Sequence, residues 1–163
     1  MNSLRSHTAA FTGHRSYRGE ADPLLVETVR ALYGRGYRNF LSGMAEGFDL
    51  AAAEVVLSLR EELSDLRLVC VLPYSDHPAH RPSALQSRYQ RVLLEADRIV
   101  TLSTHYYAAC YHHRNDYLVD HASYLVAWYD GSVGGTQYTV RRAHAAHLPV
   151  ENLWPDPQLK FIL

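Results

Sequence analysis

Two kinds of hydrophobic pattern alternate along the chain. Short, nearly unbroken apolar runs cover residues 8–12, 37–41, 66–72, 98–102 and 124–129, with a shorter one at 150–153. Between them, apolar residues recur at helical spacing. Leu25, Val29 and Leu32 form one stripe, and Phe48, Ala52, Val55, Leu59 and Leu63 another. Runs of four to eight apolar residues suit strands buried on both faces, whereas the three-to-four spacing suits amphipathic helices. Further helices are predicted over 84–96, 114–122 and 136–147, and loops over 74–83 and 103–113. Asp22-Pro23 reads as a helix start, with Asp as cap and Pro inside the first turn, and Gly34 or Gly36 reads as its end.

Strands alternating with helices predict βαβ units. The expectation is one α/β domain of Rossmann-like type over residues 1–163, with a mostly parallel sheet and helices on both faces. Its core spans about 8–153 with a C-terminal extension over 154–163, of which the tail from Pro155 reads as a surface extension. No repeat, low-complexity stretch or linker divides it.

Ligands of open parallel sheets bind beyond the carboxyl ends of the strands, where helix N-termini present backbone N–H groups. Three turns fall at such positions. Thr12, Gly13, His14 and Arg15 follow the first strand; Ser42 to Asp49 follow the second and contain Gly43 and Gly47; Asp130 to Thr136 follow the fifth. In the last, Gly131, Gly134 and Gly135 let the backbone approach a phosphate without Cβ interference, and Thr136 offers a hydroxyl as helix cap or anion donor. Arg15 and Arg114 suit bidentate phosphate recognition. Asp130 is placed to accept from ribose hydroxyls or to shape an Asp-Gly turn, and Asp49 to contact ligand or cap its helix. His14 suits a phosphate donor or a turn residue.

Composition narrows the partner. A net charge of -1 argues against a duplex-DNA binder held by phosphate contacts. No secretory signal or membrane-spanning run is visible, so a soluble, cytoplasmic protein is expected. The cysteines Cys70 and Cys110 stand in unlike settings, one in an apolar run and one in a Tyr/His-rich loop, and read as free thiols. The ten histidines include His77 and His80 in one loop and His105, His112, His113 and His121 around another. They form no HExxH or CxxC spacing, so no metal site is assigned. Tyr106, Tyr107 and Tyr111 suit either base stacking or packing, the latter including a subunit interface in a homo-oligomer.

At these residues the chain resembles the SLOG superfamily, which joins DprA/Smf DNA-processing proteins to LOG phosphoribohydrolases, and within it the bacterial YpsA-like branch. The strings that carry the resemblance are Phe11-Thr12-Gly13-His14-Arg15; Ser42-Gly43-Met44-Ala45 with Gly47-Phe48-Asp49; Arg114-Asn115 with Tyr117, Val119 and Asp120; and Tyr129-Asp130-Gly131 with Gly134-Gly135-Thr136 and Tyr138-Thr139. The resemblance implies a nucleotide-type ligand such as ADP-ribose or another NAD derivative, contacted by Gly13, Arg15, Gly43, Asp49, Arg114, Gly134, Gly135 and Thr136.

Two departures separate the chain from its better-known relatives. Where a LOG-type hydrolase carries a glutamate after its Gly-rich turn, this chain has Thr139, which removes the carboxylate that would stabilise an oxocarbenium-like centre. Where the DprA-like string carries arginine, this chain has Glu46. A nucleotide-binding sensor or regulatory module is therefore the leading expectation. A LOG-like hydrolase, with Arg114 orienting phosphate and Asp49, Glu54 or Asp130 as base, is the alternative, and a DprA-like single-stranded DNA module ranks below it.

Overall fold

The six apolar runs form one parallel sheet. The computed structural model describes residues 3–75 and 82–155. In chain order the elements are α1 (Ser3–Ser6), β1 (Thr8–Gly13), α2 (Asp22–Gly34), β2 (Asn39–Ser42), α3 (Phe48–Arg60), β3 (Arg67–Leu72), α4 (Ser83–Glu95), β4 (Arg98–Thr101), α5 (Cys110–Asp120), β5 (Tyr124–Trp128), α6 (Gly135–Ala145) and β6 (Val150–Asn152). The strand order is β4-β3-β2-β1-β5-β6, and every pairing is parallel.

Two cores follow from the two-residue period of the strands. Ala9 and Phe11 of β1, Phe40, Leu68 and Cys70 face one side and pack with α2, α3 and α4 through Leu25, Val29, Phe48, Val56 and Val92. Ala10, Leu41, Val71, Leu125 and Ala127 face the other and meet Leu118, Val119, Val140 and Ala143 of α5 and α6. The inner strands β1, β2 and β5, covered on both faces, have no polar side, which is why their sequences read as continuous apolar runs, whereas the edge strand β4 is largely exposed.

The order places a switch point between β1 and β5. From β1 the chain steps outward through β2, β3 and β4, then returns to the other side of β1 for β5 and β6. The connections leaving β1 and β5 diverge there and leave a crevice above their carboxyl ends. Asn152 stiffens this rim: its side chain accepts from the Tyr129 N–H at 3.1 Å and donates to the Tyr129 carbonyl at 3.0 Å.

Several boundaries differ from the sequence reading. Helix α5 begins at Cys110, four residues before the expected start, so Cys110 is a buried first-turn residue rather than a loop residue. Residues 37 and 38 lie before β2 rather than within it, after a turn in which Gly36 has φ +101°. Asp22 does not cap α2. It is the first helical residue, Ala21 is the N-cap, and the Asp22 carboxylate accepts from the Tyr17 hydroxyl at 2.5 Å. Trp154, the first residue of the C-terminal extension, packs its ring 4.6 Å from that of Trp128. Residues 156–163 lie outside the described residues, as do His77 and His80.

Candidate functional site

A cleft of about 360 Å³ opens at the switch point. Thr12 and Gly13 line it from the end of β1, His14 and Arg15 from the turn that follows, Ala45 from the β2–α3 turn, Asp49 from the first turn of α3, Tyr111, His112, Arg114 and Asn115 from α5, and Gly135 and Thr136 from α6. The three turns singled out in the sequence thus converge on one space, and α5 supplies its fourth wall.

Arg114 is the anchor of that wall. It is 5% exposed, donates from Nε to Asn115 Oδ1 at 2.8 Å and from Nη1 to the Gly43 carbonyl at 2.5 Å. Burial holds its pKa below the ordinary arginine value, and the nearby Asp49 charge opposes that shift. Gly43, a ligand contact in the sequence reading, lies against Arg114, where a Cβ would stand 2.6 Å from Arg114 Cδ. Its missing side chain makes room for the guanidinium.

Asp49 faces Arg114 across the site. It is 5% exposed, and its Oδ1 has no hydrogen-bond partner. Gly47, with φ +86°, is the N-cap of α3, and Asp49 lies in the first turn of the helix. Burial pushes its pKa up to about 6, opposed by Arg114, by the backbone of Ala45, by Arg15 and by the backbone of Gly13. The glycine at position 47 is required by close approach as well as by φ, since a Cβ there would meet the His14 and Arg15 carbonyls at 2.6 Å.

The N-terminus of α6 forms the opposite side. Its N-cap, Gly134, has φ +152°, a region reserved for glycine, and supplies no side-chain cap bond. Thr136 lies inside the first turn, buried, and so does not cap the helix as expected. The uncapped first-turn N–H groups beside Gly135 and Thr136 border the cleft, an arrangement suited to an anion.

Of the other expected residues, His14 lines the cleft and the rest fall outside it. Gly131 and Gly134 are exposed and shape the turn. Asp130 is exposed, and its Oδ1 accepts from the Ser132 hydroxyl and N–H at 2.6 and 2.9 Å. Those bonds, with the Ser132 hydroxyl foremost, hold its pKa below the usual carboxylate value. His14 Nε2 lies 3.0 Å from the Asp130 N–H and 2.8 Å from its Oδ1. The pair therefore pins the end of β1 to the turn after β5. Glu54 belongs to a neighbouring cleft of about 400 Å³, where it is ion-paired with Arg88. Thr139 is fully buried, and its hydroxyl donates to the Gly135 carbonyl at 3.0 Å. Among the described residues, no three His, Cys, Asp or Glu side chains converge as a metal site, and no helix is long and apolar enough to cross a membrane.

Asn115 and His112 were not singled out as ligand contacts, although they line the cleft. The signal was the spacing of Tyr111, Arg114 and Asn115 at i, i+3 and i+4, one face of a helix. It stays hidden while that helix is started at residue 114.

Comparison with known proteins agrees with this fold. The family model described as the YspA SLOG family (YpsA) matches residues 22–151. The SPbeta prophage-derived protein YoqJ of Bacillus subtilis is 26% identical over 145 residues, covering 82% of this chain and 84% of that one. The UPF0398 protein SERP1017 of Staphylococcus epidermidis is 26% identical over 136 residues, covering 76% and 72%. Among solved structures, DNA processing protein A of Helicobacter pylori, which has a single-stranded DNA binding mode, superposes with a TM-score of 0.65 at 16% identity. That match covers 90% of this chain and 65% of the Helicobacter protein. TM1055 superposes with a TM-score of 0.56 at 19% identity, covering 88% and 71%. At these identities the two structures share the fold. The family model, which takes in most of the chain, goes further: the chain belongs to the YpsA family of the SLOG superfamily.

Proposed function

We propose that the switch-point cleft binds a small nucleotide-like ligand, with its phosphate at the N-terminus of α6 and its ribose hydroxyls at Asp49, and that the protein acts as a sensor or regulatory module for that ligand. The observation that carries this reading is Asp49 Oδ1, a buried acceptor without a partner in a cleft that also holds a buried arginine and an uncapped helix start. Leaving a buried acceptor unsatisfied costs about 1–3 kcal/mol, which a ligand hydroxyl would restore. Anionic chemistry fits the remaining walls, because Arg114, Arg15 and the α6 N–H groups all favour negative charge. ADP-ribose, NAD derivatives and mononucleotides combine both features.

Single-stranded DNA is the second reading, favoured by the fold shared with the Helicobacter DNA processing protein A. The net charge of -1 supports the small ligand over the strand. The test is Gly135→Val. A Cβ at Gly135 has only Asn115 Nδ2 within 4 Å, at 3.8 Å, so the fold accepts a side chain there while the cleft loses its anion seat. Loss of nucleotide binding in a folded variant supports the reading, and unchanged affinity contradicts it.

A further inference from the structure

Three tyrosines beside the cleft are not absorbed by the phosphate and ribose contacts. Tyr111 lines the cleft from α5, with the guanidinium carbons of Arg114 and Arg15 at 5.6 and 5.9 Å from its ring centroid. Its ring stands 6.3 Å from Tyr106 and 6.4 Å from Tyr74, and Tyr74 lies 5.8 Å from Tyr106. The cluster joins three segments: the turn after β3, the loop after β4, and the first turn of α5. The Ser75 N–H donates to the Ser103 carbonyl at 3.0 Å, which ties the first two together, and the Ser103 hydroxyl donates to the His105 carbonyl at 2.8 Å, bracing the residue before Tyr106.

Packing accounts for only part of this cluster. Tyr107 is held by its hydroxyl 2.6 Å from His113 Nδ1. Tyr106 is 62% exposed, although its ring belongs to a braced aromatic group that continues into the cleft. A large aromatic face kept in water beside a charged cleft is costly to leave idle and well suited to a flat π-system.

We propose that Tyr106, supported by Tyr74 and Tyr111, is the stacking shelf for the base of the nucleotide whose phosphate and ribose occupy the cleft. This rests on the nucleotide reading above and adds its base subsite. Stacking on an aromatic side chain is tolerant of base identity, so the shelf favours any nucleobase over none. The two arginines beside Tyr111 then sit between base and phosphate, where both the ring and the anion attract them.

The experiment compares AMP with ribose 5-phosphate, its counterpart without a base, by calorimetry on the wild type, Tyr106→Ala and Tyr106→Phe. Both substitutions are at an exposed position, so the fold is expected to stay intact, which circular dichroism checks. The wild type is expected to bind AMP roughly 5- to 150-fold more tightly than ribose 5-phosphate. Tyr106→Ala is expected to lose most of that preference without weakening ribose 5-phosphate, and Tyr106→Phe to keep it. An AMP preference that survives in Tyr106→Ala overturns the shelf while leaving the nucleotide reading in place. Failure of the wild type to bind either probe overturns the shelf, and the nucleotide reading falls with it if ADP, NAD and ADP-ribose also fail to bind. Single-stranded oligothymidylate bound more tightly than AMP, and lost in Tyr106→Ala, would assign the shelf to a nucleic-acid strand and overturn the small-ligand assignment.

Discussion

Arg114 occupies the space that a side chain at Gly43 would fill: a Cβ there would lie 2.6 Å from Arg114 Cδ, and the Gly43 carbonyl accepts from Arg114 Nη1 at 2.5 Å. The contact is to the middle of a buried side chain held at its far end, so the arginine cannot swing away cheaply. Gly43→Ala is expected to displace it, costing about 1–3 kcal/mol of stability as overpacking does. Binding of any anionic ligand should weaken with it. A double-mutant cycle isolates the cause: the same substitution should cost much less in an Arg114→Ala background. Additive effects in urea denaturation would show that the two residues do not act on each other.

Asp49 makes stability depend on pH in an unusual direction. Its folded pKa of about 6 lies above the unfolded value, so the native state binds the extra proton between about pH 4 and 6. Stability contributed by this group is therefore greatest below pH 4 and falls as pH rises through 6, by up to about 3 kcal/mol. Asp49→Asn does not titrate. Its stability relative to the wild type should rise from pH 4 to 6 and stay level to pH 8, while its affinity for nucleotide at pH 7.5 drops at least about tenfold. A stability difference independent of pH would contradict the burial of an ionised carboxylate at this position.

How far the sequence reveals this site depends on the range of each interaction. The strands were readable because two covered faces impose apolar runs, and the turns because glycine beside hydroxyl and charged residues marks strand ends. The need for space at Gly43 is not legible in its own turn, because it comes from Arg114, 71 residues away. Asp49 looked equally like a helix cap, since only tertiary burial distinguishes a lining carboxyl from a capping one. The start of α5 was missed because Cys110, Tyr111, His112 and His113 are indifferent helix formers in a polar-looking stretch. With that turn misplaced, the shared face of Tyr111, Arg114 and Asn115 could not be seen. Asp130 and Glu54 were candidate bases by type alone; their partners Ser132 and Arg88 engage them elsewhere.

Thr139 bears on catalysis. Its side chain is fully buried and turned back onto the Gly135 carbonyl. It therefore offers no charge to an oxocarbenium-like centre. A missing charge stabiliser removes about 3–4 kcal/mol of barrier lowering, and each 1.36 kcal/mol is about tenfold in rate. Release of free adenine or cytosine from AMP or CMP, followed by chromatography, is expected to run orders of magnitude below about one turnover per second. A rate near that value would assign hydrolysis to the site, with Asp49 as the first carboxylate to substitute.

The most direct test of the central claim is a titration of the wild-type protein with AMP, ADP, NAD and ADP-ribose, read by calorimetry and by thermal unfolding. At about 100 times its dissociation constant, a ligand that binds only the native state adds about 2.7 kcal/mol. For a domain of this size that is a rise of roughly 5–11 °C in Tm. The account expects such a rise with at least one of the four ligands and its loss in Gly135→Val. No response to any of them, from protein shown to be folded, would contradict it.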